Sequence, residues 1–321
     1  MTKVKTTLEI HNLKKVFKSK KTEIRAVDGI NLSIDNNEIV GLVGESGSGK
    51  STLGKMITGL VDKTEGVIKY QNRELPSRYS IRDYRTQATE IQMIFQDPYS
   101  SLNPRMTVGE IVGEGLHTVK KMKKNDISEN VALWLKRVGL KTEYMSRYPH
   151  EFSGGQRQRI GIARALIMEP KLLICDEPIS ALDVSVQAQV INLLSDLKTR
   201  MDLTILFIAH DLSMVRYISN RMAVMYKGKI VEIGDSDQVF FSPKHPYTEL
   251  LIDSIPNTNF RFPSINAETD STSLSDTGIN SIGCSFADRC SKVKDICKTK
   301  APSLTKLTGS DQIVSCHLYL R

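Results

Sequence analysis

The sequence predicts an α/β domain, a mostly parallel sheet packed between helices, and three observations carry that expectation. Short β-branched runs alternate with longer stretches of helical periodicity from residue 8 to about residue 256. Several runs, at residues 39–43, 91–95, 172–176, 204–209 and 221–225, are apolar almost throughout rather than alternating, which is the pattern of strands covered on both faces. A glycine-rich stretch stands directly between the first of these runs and a helical pattern.

With 321 residues, 40% of them hydrophobic, the chain can bury one large core and still carry a small second unit. The expected organisation is a main domain over residues 1–256, with a helical subdomain inserted at about 97–165, a polar linker over 257–283 and a cysteine-containing extension over 284–321. Within the insert, residues 107–147 show helical periodicity with little strand propensity, and Thr107 with Glu110 makes a capping-box start. Between residues 184 and 200, Val186, Val190, Leu193, Leu194 and Leu197 recur at helical spacing and predict one buried face. The linker is assigned on its wealth of Ser, Thr, Asn and Asp. No apolar run reaches the ~18 residues of a membrane span, and no apolar h-region follows the basic N-terminus, so a cytosolic chain is expected.

Forty-four Lys and Arg against 36 Asp and Glu leave a net charge of +8, which suits a partner with an anionic surface. The excess gathers at residues 14–21 and 120–124, and such runs are read as solvated faces; no nucleic-acid partner is expected. Of five cysteines, Cys175 stands alone in an apolar run and reads as a small core residue. Cys284, Cys290, Cys297 and Cys316 crowd the C-terminus, where a reducing cytosol favours metal or cluster ligation over disulfides. Their spacing is too wide for a CxxC zinc ribbon, and four unligated thiols are the plain alternative.

Residues 44–51 read GESGSGKS and fit the phosphate-binding pattern GxxxxGK[ST] in the required strand-to-helix setting. Gly44, Gly47 and Gly49 let the backbone turn so that successive N–H groups of Glu45, Ser46, Ser48 and their neighbours face an anion, with Thr52 in the first turn of the helix beyond. Lys50 would reach the β and γ phosphates of a bound nucleotide, and the Ser51 hydroxyl would take one position on Mg²⁺. The apolar run 172–176 closes on Asp176 and Glu177, one acid to hold Mg²⁺ and one to accept a proton from an attacking water.

Residues 152–156 read FSGGQ, followed by RQRIGIARAL, about twenty residues before that acid pair. This stretch resembles the signature of ABC ATPases, usually LSGGQ, with Phe in the first place. The resemblance implies a P-loop NTPase core with an antiparallel β subdomain, and a face-to-face pair of subunits. In that pair Ser153, Gly154, Gly155 and Gln156 would approach the partner's γ-phosphate. It also implies an aromatic on adenine at Phe17 and a Mg²⁺-site glutamine at Gln96. An interface loop is implied at Ser180, Ala181, Leu182 and Asp183, and a γ-phosphate histidine at His210. Lys50, Gln96, Glu177 and His210 would then be the catalytic set, with Ser51, Gln96 and Asp176 around Mg²⁺.

DPYSSLNPRMTVGEIVGEG at residues 97–115, HPYTELLIDSIP at 245–256 and the cysteine tail resemble the F-type ATPase subunit of oligopeptide and dipeptide importers. That resemblance implies a second ATPase subunit, two membrane-spanning permease subunits and a solute-binding protein as partners. It implies a peripheral place on the cytoplasmic face of the membrane and a [4Fe–4S] cluster on the four cysteines, with zinc, His317 included, as the alternative. Importers of nickel or glutathione use the same type of subunit. Chromosome-handling ABC ATPases fit less well, because they carry long coiled coils and no sustained heptads occur here.

Overall fold

The computed structural model describes residues 5–19, 22–180, 182–255 and 282–320; residues 257–281 of the linker expected at 257–283, and Ala181, lie outside the described residues. The strands are β1 (Thr6–Lys18), β2 (Glu23–Asp35), β3 (Ile39–Val43), β4 (Glu65–Tyr70), β5 (Arg73–Glu74), β6 (Ile91–Ile94), β7 (Leu172–Asp176), β8 (Thr204–Ile208), β9 (Arg221–Tyr226), β10 (Lys229–Asp235), β11 (Thr305–Lys306) and β12 (Ile313–Val314). The larger sheet runs β11-β12-β10-β9-β3-β8-β7-β6, and a smaller antiparallel sheet runs β2-β1-β4-β5.

From β9 to β6 the large sheet is parallel, and β10, β11 and β12 extend it antiparallel. All five residues of β3, β7 and β8 are buried. Alternate side chains feed two separate cores: Leu173 and Cys175 pack on one face of β7, Leu172 and Ile174 on the other. A strand with a core on each side has no polar face, so its sequence is a continuous apolar run.

The helical insert packs Val108–Thr118, Lys124–Arg137 and Gly154–Leu166 around the buried Trp134. Thr107 opens the first of these: its hydroxyl accepts from Glu110 N at 3.3 Å, and the Glu110 carboxylate accepts from Thr107 N at 2.8 Å. The helix Val184–Met201 buries Val190, Ile191, Leu194 and Leu197, while Val186 and Leu193 are half-buried at the edge of that face.

The C-terminal segment is stitched into the main sheet. Strand β12 pairs with β10 through Glu232↔Val314 and Ile233↔Ile313. Beside it the buried Gln312 donates to the carbonyls of Gln238 and Ser242 at 3.2 and 3.0 Å. Residues 284–320 therefore share a core and a sheet with the main domain rather than standing apart from it, and Phe286 is one of the core side chains.

Candidate functional site

The loop after β3 places Gly44, Gly47 and Gly49 at φ 153°, 78° and 104°, a left-handed path that side chains disfavour. Two of these glycines are also sterically required. A Cβ on Gly44 would stand 2.1 Å from the Met225 carbonyl oxygen, and one on Gly49 2.0 Å from that of Ala26. Gly49 leads the helix Lys50–Ile57, whose N-terminus no side chain caps. Ser46 and Gly47 are exposed, Thr52 is half-buried, and the buried Ser48 hydroxyl has no hydrogen-bond partner among the described residues. An uncapped helix N-terminus behind a glycine cradle with a spare hydroxyl fits a polyphosphate.

Lys50 is buried, and its ammonium donates to the carbonyls of Gly44 at 2.8 Å and Glu45 at 3.0 Å. Burial lowers its pKa, and Glu177, Asp176 and Glu45 pull the other way. Ser51 Oγ donates to Asp176 Oδ1 at 2.7 Å, so a hydroxyl and a carboxylate stand together as a hard oxygen pair of the kind Mg²⁺ takes. Burial raises the Asp176 pKa and the Ser51 hydrogen bond opposes it.

Glu177 follows at the end of β7 with φ 46°. Its carboxylate accepts from Gln96 Nε2 at 2.8 Å and lies 3.5 Å from His210 Nδ1. Gln96 thus meets Glu177 directly rather than the Ser51–Asp176 pair. A cavity of about 50 Å³ lined by Glu177, Ser180, Gln187 and His210 adjoins this trio, enough for water. Lys50, Ser51, Gln96, Asp176, Glu177 and His210 therefore converge from separate loops at the carboxyl ends of β3, β6, β7 and β8, where open parallel sheets bind ligands.

Ser153 caps the helix Gly154–Leu166: its hydroxyl accepts from Gln156 N at 3.4 Å, and the Gln156 side chain accepts from Ser153 N at 3.1 Å. The two glycines have different neighbours. A Cβ on Gly155 would stand 2.5 Å from Val186 Cγ1, whereas one on Gly154 would make ordinary contact with Leu182 at 3.5 Å. Gly155 is thus demanded within the chain, and Gly154 keeps an open side. Ser180 and Asp183 are exposed and Leu182 half-buried in the loop that joins β7 to the helix Val184–Met201. Phe17 near the end of β1 is 43% exposed with the Lys15 ammonium 4.9 Å over its ring, so its other face is open to stacking.

Two residues at the cradle carry no linear signal of a role there. The Glu45 N–H, expected to face the anion, is instead donated to the Tyr247 hydroxyl at 2.9 Å, and the Arg289 guanidinium forks onto both Glu45 carboxylate oxygens at 2.9 Å each. Arg289 is 244 residues from Glu45, so only the fold makes the pair visible.

The four C-terminal cysteines are free thiols, and burial raises the pKa of Cys284, Cys290 and Cys316, the last to about 11. The neighbouring thiols push each of the three further in the same direction. They are thus near enough to oppose one another's ionisation, but among the described residues no three side chains are gathered as a metal site. His317 Nε2 lies 2.8 Å from the Lys300 carbonyl, away from metal ligation. The donor chemistry fits a cluster or zinc. The geometry does not supply the convergent ligand set that the sequence leads one to expect.

A glycine cradle with its lysine, a Mg²⁺-type hydroxyl and carboxylate, a glutamate with glutamine and histidine partners, and a capped signature helix define an ATP-hydrolysing cassette of the ABC type. Comparison with known families bears this out: residues 27–180 match the ABC transporter family, and residues 231–297 match the family "oligopeptide/dipeptide transporter, C-terminal region". The chain is 44% identical to the oligopeptide transport ATP-binding protein AppF of Bacillus subtilis over 98% of both chains. It is 46% identical to OppF of Escherichia coli over 94% of this chain and 90% of that one. The chain belongs to the family of ABC transporter ATP-binding subunits that carry the oligopeptide/dipeptide C-terminal region. Among solved structures it is similar to the dimeric ATP-binding cassette MJ0796 in a post-hydrolysis state with ADP and Pi, at TM-score 0.66 and 28% identity over 71% of this chain and 98% of that one. It is likewise similar to cbiO1 from Clostridium perfringens, part of the cbiONQ transporter complex, at TM-score 0.66 and 29% identity over 74% of this chain and 92% of that one.

Proposed function

We propose that the chain hydrolyses ATP to drive import of di- and oligopeptides across the cytoplasmic membrane. The observation that carries this reading is the match over nearly the whole chain to oligopeptide transport ATP-binding proteins, together with the match of residues 231–297 to the oligopeptide/dipeptide transporter C-terminal region. In the site, Lys50 and the cradle N–H groups bind and orient the β and γ phosphates, and Phe17 stacks on adenine. Ser51 and Asp176 would hold Mg²⁺, which when bound would neutralise charge on the transferred phosphoryl group. Glu177 takes the proton of the attacking water, and Gln96 and His210 orient Glu177 and the γ-phosphate. Ser153, Gly154, Gly155 and Gln156 serve the nucleotide of a second ATPase subunit, which the loop at Ser180, Leu182 and Asp183 meets.

A groove of about 330 Å³ supports the membrane side of this reading. It lies between Tyr84, Phe95, Glu114, Thr118 and Arg164, and Phe95 is the residue before Gln96. A cytoplasmic segment of a permease subunit seated there would touch both the main domain and the helical insert, and would be felt at Gln96. None of the helices among the described residues is long and apolar enough to cross a membrane. In this reading the chain is a peripheral subunit on two permeases, paired with a second ATPase and fed by a solute-binding protein, as its likeness to oligopeptide transport ATP-binding proteins suggests. In the same reading the four C-terminal thiols would take a [4Fe–4S] cluster or zinc only after drawing together, and what supports it is that they are near enough to raise one another's pKa.

Gentle solubilisation of native membranes and mass spectrometry of what co-purifies tests the proposal. Two permeases, a second ATPase and a solute-binding protein are expected, and peptide uptake should stop when the chain is deleted. Recovery with nucleic acid or ribosomes would overturn the transport reading, and loss of nickel or glutathione uptake alone would move the cargo. Anaerobic protein that neither absorbs near 400 nm nor contains zinc would remove the metal from the module.

A further inference from the structure

The second residue of the phosphate loop is acidic, which an anion-binding site has to manage. Glu45 carries its carboxylate in the loop whose carbonyl oxygen lies 3.0 Å from the Lys50 ammonium, the cation meant for the nucleotide phosphates. A negative charge there opposes the phosphates that the cradle gathers. The structure answers it from the C-terminal module. Arg289 of that module forks onto both Glu45 oxygens at 2.9 Å, while Tyr247, from the main-domain helix Pro246–Asp253, takes the Glu45 N–H at 2.9 Å. The guanidinium itself is braced: its carbon lies 5.8 Å from the Tyr226 ring and 5.7 Å from that of Phe286, and the two rings meet edge to face at 5.3 Å. Three residues on, Lys292 grips the Glu249 carboxylate at 2.6 and 2.9 Å and holds the same segment against the helix Pro246–Asp253.

We infer that Arg289 is a positioning residue for nucleotide binding, which neutralises Glu45 beside the phosphates and ties the affinity of the cradle to the seating of the cysteine module. The inference rests on residues 44–52 being the phosphate cradle. It follows that the module is part of the nucleotide site whatever its thiols bind, and that a segment carrying Cys290 delivers the charge.

A four-membered cycle tests this in the full chain by equilibrium binding of a fluorescent ADP with Mg²⁺, which avoids turnover. Arg289→Ala uncovers the carboxylate and should weaken binding about two- to fivefold, the range that a part-exposed charge pair commands. Glu45→Gln, which changes no residue of the module, frees a cation beside the phosphates and should tighten binding by a similar factor. The double variant Glu45→Gln/Arg289→Ala should return to the parent affinity, and all differences should shrink in 0.5 M salt, where the Debye length is only ~4 Å. A purely structural role for Arg289 predicts instead that the double variant stays as weak as Arg289→Ala, and that result overturns the inference. Unchanged affinity in Glu45→Gln also overturns it, and needs no variant of the module to fold. A parent chain that bound no nucleotide would bring down the cradle assignment itself.

Discussion

Glu177 is held in a left-handed backbone conformation that costs a non-glycine residue about 1–2 kcal/mol, and its N–H is donated to the Ile208 carbonyl at 2.9 Å. That turn swings the carboxylate off the end of β7, away from Asp176 and into reach of Gln96 and His210. Replacing it by the near-isosteric Gln keeps an oxygen for Gln96 to donate to but removes the proton acceptor. Glu177→Gln should therefore still bind ATP and accumulate as a nucleotide-trapped dimer on gel filtration, with turnover down about a hundredfold or more; turnover at the parent rate would exclude Glu177 as the base. The buried pair Glu232 and His245 makes a separate prediction. Burial pushes Glu232 up to about 7 from 4.5 and His245 down to about 4 from 6.5. A raised carboxyl pKa means that the native state holds the extra proton, so the Glu232 contribution is present below pH 4.5 and lost as the pH climbs to 7. The His245 contribution has the opposite sense, present above pH 6.5 and lost towards pH 4, and the two offset each other in between. Removing one exposes the slope of the other. The stability of Glu232→Gln relative to the parent should rise by up to about 3 kcal/mol between pH 4.5 and 7.5 in urea titrations, and a pH-independent difference would refute the assignment.

At the scale of elements, what the sequence reveals depends on how many faces of a strand are buried. β3 and β7 match the apolar runs at 39–43 and 172–176 residue for residue, because each is sandwiched between two cores. The long β1 and β2 are half-exposed and interrupted by bulges, so their alternation is broken and no apolar run announces them. Strands of two residues, such as β11 and β12, contain too little pattern for any periodicity to register. The signature helix shows the same limit from the other side. Its capping box is legible in Ser153 and Gln156, but the reason for each glycine needs the neighbours. Gly155→Ala drives a methyl into Val186 and should cost about 1–3 kcal/mol of stability, recovered largely by adding Val186→Ala. Gly154→Ala meets only open space and Leu182, so its stability should be near the parent while ATPase activity falls about tenfold through the crowded approach to the partner's phosphate. Equal stability loss at both glycines would show that neither faces a partner.

For the molecule as a whole, Gln96, Asp176, Glu177 and His210 can be read as candidates because each lies at or just after the end of a run that the chain must bury, whereas the union of main domain and C-terminal module cannot. That union is made by contacts between residues far apart in sequence, among them Arg289 on Glu45, 244 residues away, and β12 on β10, and by single side chains with no pattern around them. Gln312 is the clearest such stitch. It is 2% exposed, and its amide donates to Gln238 and Ser242 carbonyls from the helix and turn after β10, with the Glu232 carboxylate at 3.5 Å. Two opposite thermal behaviours follow from two architectures. If the module were an appendage, loosening it would melt residues 284–320 first and leave the ATPase transition where it was. Because β12 extends the same sheet and Phe286 fills the same core, loosening it should instead weaken the whole. Gln312→Ala removes two part-buried hydrogen bonds, to Gln238 O, which keeps the Ser242 N–H, and to Ser242 O; the loss of about 1–2 kcal/mol should lower a single calorimetric transition by about 2–5 °C without splitting it. The weakened seat of Arg289 should appear in the same variant as looser nucleotide binding, so a low-temperature shoulder with unchanged affinity for nucleotide would mean that the module folds and acts apart from the cassette.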